Sequence, residues 1–337
     1  MTMRAATISR PGVMEVRDFP TPTAAYDGEV VVRMERGSIC GSDVHALYDG
    51  LHNEDFLGRP GYPGHEGVGT VVESRSAAFP IGRRVLTVPM GSEGGCFAAY
   101  MLISDRYLVD LPPGGDAARL LMAQQYGTTL YAMRQIWPEK GNTGVETGIV
   151  AVVGAGSAGL FFLQQLRRLG FEQIVVSDLD DHRLAVARRL GAAVCVRAPG
   201  GSVVEAVRDL SGGAGADLVI EAAGYDACRA DAVAAVRPLG TIGCFGFPER
   251  LEPVPFPQYD AFRKLVRIQW AGGAQAEPGL VTFRDALRDI DTGAIEVDYC
   301  LGSAYDLERL PEAMVVARDL GHGAVKLAVD IGSASAG

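Results

Sequence analysis

Gly148-Ile-Val-Ala-Val-Val-Gly-Ala-Gly-Ser-Ala-Gly-Leu-Phe-Phe-Leu163 is the stretch whose reading decides the fold. An apolar, β-branched run at 148–153 leads directly into Gly154-Ala-Gly-Ser-Ala-Gly159, and residues 158–169 continue at helical spacing. G-x-G-x-x-G is a weak signal by itself. Between a buried strand and a helix, with Asp178 lying 19 positions beyond the last glycine, it reads as a dinucleotide-binding turn. Gly154 permits the tight turn, Gly156 lets the backbone approach a pyrophosphate, and Gly159 lets helix and strand pack closely. Ser157 and Ala158 open the helix, where backbone N–H groups face the phosphates. Asp178 ends the next strand, and its carboxylate suits the two hydroxyls of an adenosine ribose. The same charge opposes a 2′-phosphate, so NAD is expected over NADP. Arg183 stacks on adenine in one reading and is a solvated helix residue in another.

Outward from this turn, strands and helices alternate. Gln173–Val176, Asp217–Glu221 and Gly240–Cys244 are further strands, and Asp181–Leu190 is a further helix. This rhythm predicts an α/β domain with a doubly wound parallel sheet covered on both faces. Upstream, Glu29–Arg33, Gly69–Glu73, Arg84–Pro89 and Tyr100–Ile103 are short runs bounded by Gly, Pro and charge, which suggests a small barrel-like β domain. Pro112-Pro113-Gly114-Gly115 punctuates the change, and Asp116–Trp137 suits a helix. From about Asp291 the rhythm is lost, leaving an amphipathic helix near Leu307–Leu320 and a last strand, Ala324–Val329. That strand needs a sheet, and the first domain offers one. The expected division is therefore 1–121, 122–290 and a return over 291–337.

The 337-residue length fits two domains, and 48% hydrophobic with 21% charged residues excludes general disorder. A net charge of −10 without any Lys/Arg block argues against a nucleic-acid partner. The N-terminus has no apolar run of signal length, and no stretch reaches the ~20 apolar residues that span a bilayer. A cytoplasmic protein with no membrane partner is expected. Six dispersed cysteines without paired spacing speak against a disulfide framework.

A second constellation lies in Cys40-Gly-Ser-Asp-Val-His45 and Gly64-His-Glu66. Thiolate and imidazole are good zinc ligands, and two of only five histidines fall in these segments. With Pro63-Gly-His-Glu-Gly-Val-Gly69, the glycine turn, Ala214–Gly224 and Leu310-Pro-Glu-Ala-Met314, these motifs make nearly the whole chain resemble the medium-chain dehydrogenase/reductase superfamily. The resemblance is greatest to its zinc-dependent alcohol and polyol dehydrogenases. It implies a GroES-like catalytic domain (1–121, completed by 291–337) and a Rossmann domain (122–290). It also implies that Cys40 and His65 bind one catalytic zinc, that Asp43 orients His65, and that Glu66 approaches the metal. Ser42 would hydrogen-bond the substrate oxygen and relay its proton, with His45 further along. The implied activity is hydride transfer between NAD and a small secondary alcohol or polyol, in the cleft between the domains, by a homodimer or homotetramer.

Two departures stand out. Many relatives carry a lobe of four cysteines for a structural zinc, whereas Val88-Pro-Met-Gly-Ser-Glu-Gly-Gly-Cys96 has one, so no structural zinc is expected. In the stretch Met122–Ala132, the position where polyol dehydrogenases place a zinc-binding Glu is Gln124. Three outcomes stay open: Gln124 coordinates weakly, Glu66 substitutes, or zinc is lost. The rival functions are a zinc-free enone or quinone reductase of the same fold and a nucleotide-binding protein without turnover.

Overall fold

Alternating apolar residues make β1 (Thr2–Arg10) and β2 (Val13–Pro20) an antiparallel hairpin, which turns at Gly12 with φ 76°. The computed structural model describes residues 1–90, 94–138 and 148–332. β3 (Glu29–Ile39) follows, then α1 (Gly41–Tyr48), β4 (Gly67–Ser74), β5 (Arg84–Thr87), β6 (Tyr100–Ser104) and β7 (Leu108–Asp110). α2 (Ala117–Leu121) and α3 (Ala123–Ile136) meet at Met122, where a single helix was expected. Asp116 caps α2 by accepting the Ala118 N–H at 2.9 Å.

Strand and helix then alternate as anticipated: β8 (Ile149–Val153), α4 (Ser157–Arg168), β9 (Gln173–Asp178), α5 (Asp181–Arg189), β10 (Val194–Arg197), α6 (Val203–Leu210), β11 (Ala216–Glu221), α7 (Asp226–Ala235), β12 (Val236–Cys244), α8 (Gln258–Lys264) and β13 (Arg267–Trp270). The tail holds α9 (Val281–Asp291), β14 (Ala304–Asp306), α10 (Leu310–Arg318) and β15 (Leu327–Asp330).

The chain divides into two compact units, Met1–Thr128 with Gly273–Gly337, and Thr129–Gly272. The first contains a seven-stranded sheet in the order β14-β15-β3-β4-β5-β7, with β6 also on β3. The last strand does join the first unit. β15 runs antiparallel to β3, with Leu327 opposite Ile39 and Asp330 opposite Arg36, and Arg36 and Asp330 form an ion pair at 2.8 Å. Leu310, Met314, Leu327 and Val329 share one buried cluster with Val30, Met34, Val85 and Phe97. The return begins earlier than the lost rhythm suggested, at Gly273 against an expected 291. α9 explains the difference. Phe283 packs against Gly127, and the Tyr126 hydroxyl donates to Asp289 at 3.0 Å, so this helix belongs to the first core. An amphipathic helix does not announce which core it covers.

The second unit holds a six-stranded sheet in the order β10-β9-β8-β11-β12-β13, with every pairing parallel. Val150, Ala151 and Val152 are fully buried, as a strand covered on both faces requires. Leu160, Phe161, Phe162, Leu163 and Leu166 of α4 are buried too, each contributing ~1.5–3 kcal/mol. β8 has β9 on one side and β11 on the other, so the strand order reverses at its carboxyl end, where α/β sheets bind ligands. Among the described residues, no helix is long and apolar enough to cross a membrane.

Candidate active site

The turn at the end of β8 separates what the fold needs from what a ligand needs. Gly154 has φ 100°, and a Cβ on Gly159 would lie 1.9 Å from the Gly154 carbonyl oxygen, so both glycines are demanded by the backbone itself. Gly156 is different. Its φ is −64° and a Cβ there would meet nothing within 4 Å. Packing leaves this position open, so the turn itself does not require a glycine here. Gly156 is the N-cap of α4, and no side chain caps the helix, which leaves the first turn at Ser157 and Ala158 suited to an anion. Asp178 ends β9. Its carboxylate accepts the Ala155 N–H at 2.6 Å and the Asp180 N–H at 2.9 Å, which places it against the turn, where a ribose would lie. Arg183, in the first turn of α5, donates its backbone N–H to Asp180 at 3.0 Å.

The other constellation assembles in the first unit. Cys40 precedes α1, and its backbone N–H donates to Asp43 Oδ2 at 2.9 Å. Asp43 Oδ1 lies 3.0 Å from His65 Nδ1. The same nitrogen lies 3.4 Å from the Pro63 carbonyl oxygen, so two oxygens flank Nδ1 and Nε2 is the ring atom left for a ligand. Burial works against a charged His65, but Asp43 and then Cys40 outweigh it and hold the imidazolium pKa well above its usual value. Cys40, His65 and Glu66 each bring a donor atom to within 4.8 Å of the others. A soft thiolate beside an imidazole with an oriented tautomer fits zinc.

Glu66 is less available than the sequence suggested. It is buried, and Ser38 on β3 donates both its N–H, at 3.1 Å to the Glu66 carbonyl, and its hydroxyl, to Oε2. Lys326 Nζ lies 2.6 Å from the same Oε2, with both side chains almost fully buried. Burial alone would raise the Glu66 carboxyl; Lys326, His65 and Ser38 outweigh it and hold it below the ordinary carboxylate range. Lys326 is likewise penalised by burial, and Glu66 and Cys40 restore and raise its pKa. Lys326 also donates to Gln125 Oε1 at 3.3 Å. Gln124 is buried in the same first turn of α3.

Ser42 and His45 lie three residues apart on α1, hence near one face of it. His45 Nδ1 is 2.7 Å from Asp49 Oδ2. In the loop that follows, His52 turns onto Glu54 at 3.0 Å. Residues 91–93, central to the shortened cysteine lobe, lie outside the described residues. Cys96 itself is a core thiol against Thr87 Oγ1 at 3.3 Å, and burial pushes its pKa up to about 12. Sequence reasoning missed Ser38, Gln125 and Lys326. The one available signal was a lysine inside the apolar run Ala324-Val-Lys-Leu-Ala-Val329.

A zinc-binding dehydrogenase family model matches residues 158–285, and an alcohol dehydrogenase GroES-like domain model matches residues 26–113. The chain belongs to the medium-chain dehydrogenase/reductase superfamily. It is 24% identical over 342 residues to the sorbitol dehydrogenase of Bacillus subtilis, covering 93% of this chain and 92% of that protein. The alcohol dehydrogenase TADH from Thermus sp. superposes with a TM-score of 0.83 at 22% identity, covering 98% of this chain and 100% of that one. A zinc-binding dehydrogenase from Sinorhizobium meliloti bound to NADP superposes with a TM-score of 0.82 at 22% identity, covering 98% and 100%. As a member of this superfamily the protein is an oxidoreductase. The GroES-like and Rossmann halves expected from the motifs are the two units observed.

Proposed function

We propose that the protein catalyses reversible hydride transfer between NAD and a secondary alcohol or polyol, with one zinc ion held by Cys40 and His65. The observation that carries this reading is the meeting of the Cys40 and His65 donor atoms within 4.8 Å, with Asp43 Oδ1 3.0 Å from His65 Nδ1. A zinc-free reductase would give these three residues nothing to do. Gln124 or Glu66 supplies any further protein donor. Bound zinc supplies Lewis acidity that lowers the pKa of the substrate hydroxyl, and NAD accepts the hydride. Ser42 accepts the substrate proton, and His45 carries it toward solvent with its ring steadied by Asp49. The opening of α4 binds the pyrophosphate, Asp178 binds the ribose hydroxyls and disfavours a 2′-phosphate, and Arg183 flanks the adenine.

The likeness to sorbitol dehydrogenase supports a hydroxylated substrate. Tyr259 and Phe262 on α8, Leu265 just after it and Trp270 on the edge strand β13, all exposed, support a homodimer or homotetramer. The reading places the protein in the cytoplasm. The test is a screen of polyols, sugars and amino alcohols with NAD and NADP, following reduced cofactor. Turnover of a secondary alcohol with NAD is expected. Reaction confined to enones or quinones, or no turnover with any alcohol, overturns the proposal.

A further inference from the structure

Glu66 lies within ligand distance of Cys40 and His65, yet its Oε2 already receives two donors, the Ser38 hydroxyl and the Lys326 ammonium. The topology makes this pairing possible. β15 runs beside β3 in a register that sets Leu327 opposite Ile39, and one further step brings Lys326 level with Cys40. The C-terminal return therefore delivers a buried cation to the metal pocket. Lys326 is 4% exposed and Glu66 1%, so neither charge is met by bulk water. The only other hydrogen-bonding contact of the ammonium among the described residues is Gln125 Oε1, a neutral acceptor, at 3.3 Å.

We infer that Lys326 is a positioning residue that holds Glu66 as the partner of an ion pair and keeps it out of the metal's ligand set. The inference rests on the zinc reading above and deepens it. The consequences follow from charge. A carboxylate that neutralises an ammonium is a poor donor to a second cation. The Glu66–Lys326 pair adds no net charge to the pocket, so Cys40 is the one anionic donor. Removing only the ammonium frees a carboxylate beside the metal and tightens binding. Removing both members of the pair leaves the pocket's charge as it was.

The experiment measures Zn²⁺ affinity by chelator competition and the visible spectrum of the Co²⁺ form, for the full-length parent, Lys326→Met, and the double variant Lys326→Met/Glu66→Gln. Lys326→Met should bind Zn²⁺ at least ~10-fold more tightly (about 1.4 kcal/mol) and shift the Co²⁺ spectrum as a carboxylate enters. The double variant should return affinity to within about threefold of the parent (about 0.65 kcal/mol) and restore its spectrum. The double variant replaces a buried ion pair by neutral side chains of similar volume, an exchange that proteins commonly tolerate, so it tests the inference even if Lys326→Met does not fold. Tenfold or greater weakening in the double variant would mean that Glu66 is a ligand, and overturns the inference while leaving the zinc reading intact. Unchanged or weakened binding by folded Lys326→Met overturns it too. Failure of the parent to bind either metal contradicts the zinc reading itself, and the inference with it.

Discussion

At the proposed nucleotide turn, six consecutive residues and one aspartate 19 positions later would supply the recognition elements, and most of them are backbone. At the proposed metal pocket, side chains arrive from β3 (Ser38), the start of α1 (Cys40, Asp43), the loop before β4 (His65, Glu66), the start of α3 (Gln125) and the residue before β15 (Lys326). The first site is a local conformation that a helix and a strand hold in place. The second is a convergence that exists only when the C-terminal strand closes the sheet against β3. A local site tolerates change in its surroundings and fails at single positions. A convergent site fails when any contributing segment shifts.

The largest effect is expected at the reaction centre. Ser42→Ala should lower kcat by ~10²-fold or more, because proton transfer by a positioned group contributes 10²–10⁴-fold, while KM for NAD changes little. Steady-state kinetics in both substrates checks this, and an unchanged kcat removes Ser42 from the relay. Next come the two glycines that distinguish fold from ligand. Gly159→Ala drives a methyl group into the Gly154 carbonyl and should destabilise the protein by about 1–3 kcal/mol or more. Gly156→Ala meets open space and should cost no more than about 1 kcal/mol in stability, yet raise KM for NAD several-fold. Thermal melts beside cofactor titration separate the two. Equal loss of stability at both positions would mean that the turn is purely structural.

A smaller effect concerns cofactor choice. NAD should exceed NADP by at least ~10-fold in kcat/KM, about 1.4 kcal/mol, and Asp178→Ala should narrow the gap. Equal use of both cofactors by the parent contradicts the role given to Asp178. The smallest effect serves as a contrast to the buried Lys326–Glu66 pair. Arg4 holds the half-exposed Glu308 by two hydrogen bonds of 2.8 and 2.7 Å, and that pairing depresses the Glu308 carboxyl. A carboxyl lowered on folding stabilises the protein above its unfolded value and loses that contribution as pH falls through its folded value. Glu308→Gln should therefore destabilise the protein slightly at neutral pH, by about 1 kcal/mol or less, read as a small fall in melting temperature. The difference should shrink as pH falls below the ordinary carboxylate range, roughly pH 4, and vanish only below the depressed folded value. A difference that grows on acidification would reverse the assigned sign.

The same contrast explains how much could be read in advance. β8, α4, β9 and α5 were legible because apolar periodicity and the glycine turn are local signals. β10, β13 and β14 were not. They are short strands with exposed or half-buried residues, such as Arg267 and Trp270, and only their neighbours make them strands. Cys40 and His65 were legible as donors through family motifs. The hold on Glu66 was not, because Lys326 lies 260 positions away and nothing local to either residue records their meeting. The boundary at Gly273 escaped for a related reason, since α9 has an apolar face that either core could bury.

The central claim is tested most directly by the metal content of the purified protein, tied to turnover. The account predicts one zinc per chain, loss of NAD-dependent alcohol oxidation when a chelator removes it, recovery when zinc alone is restored, and no bound zinc in Cys40→Ala. A metal-free protein that oxidises alcohols at full rate, or zinc retained in Cys40→Ala, would contradict it.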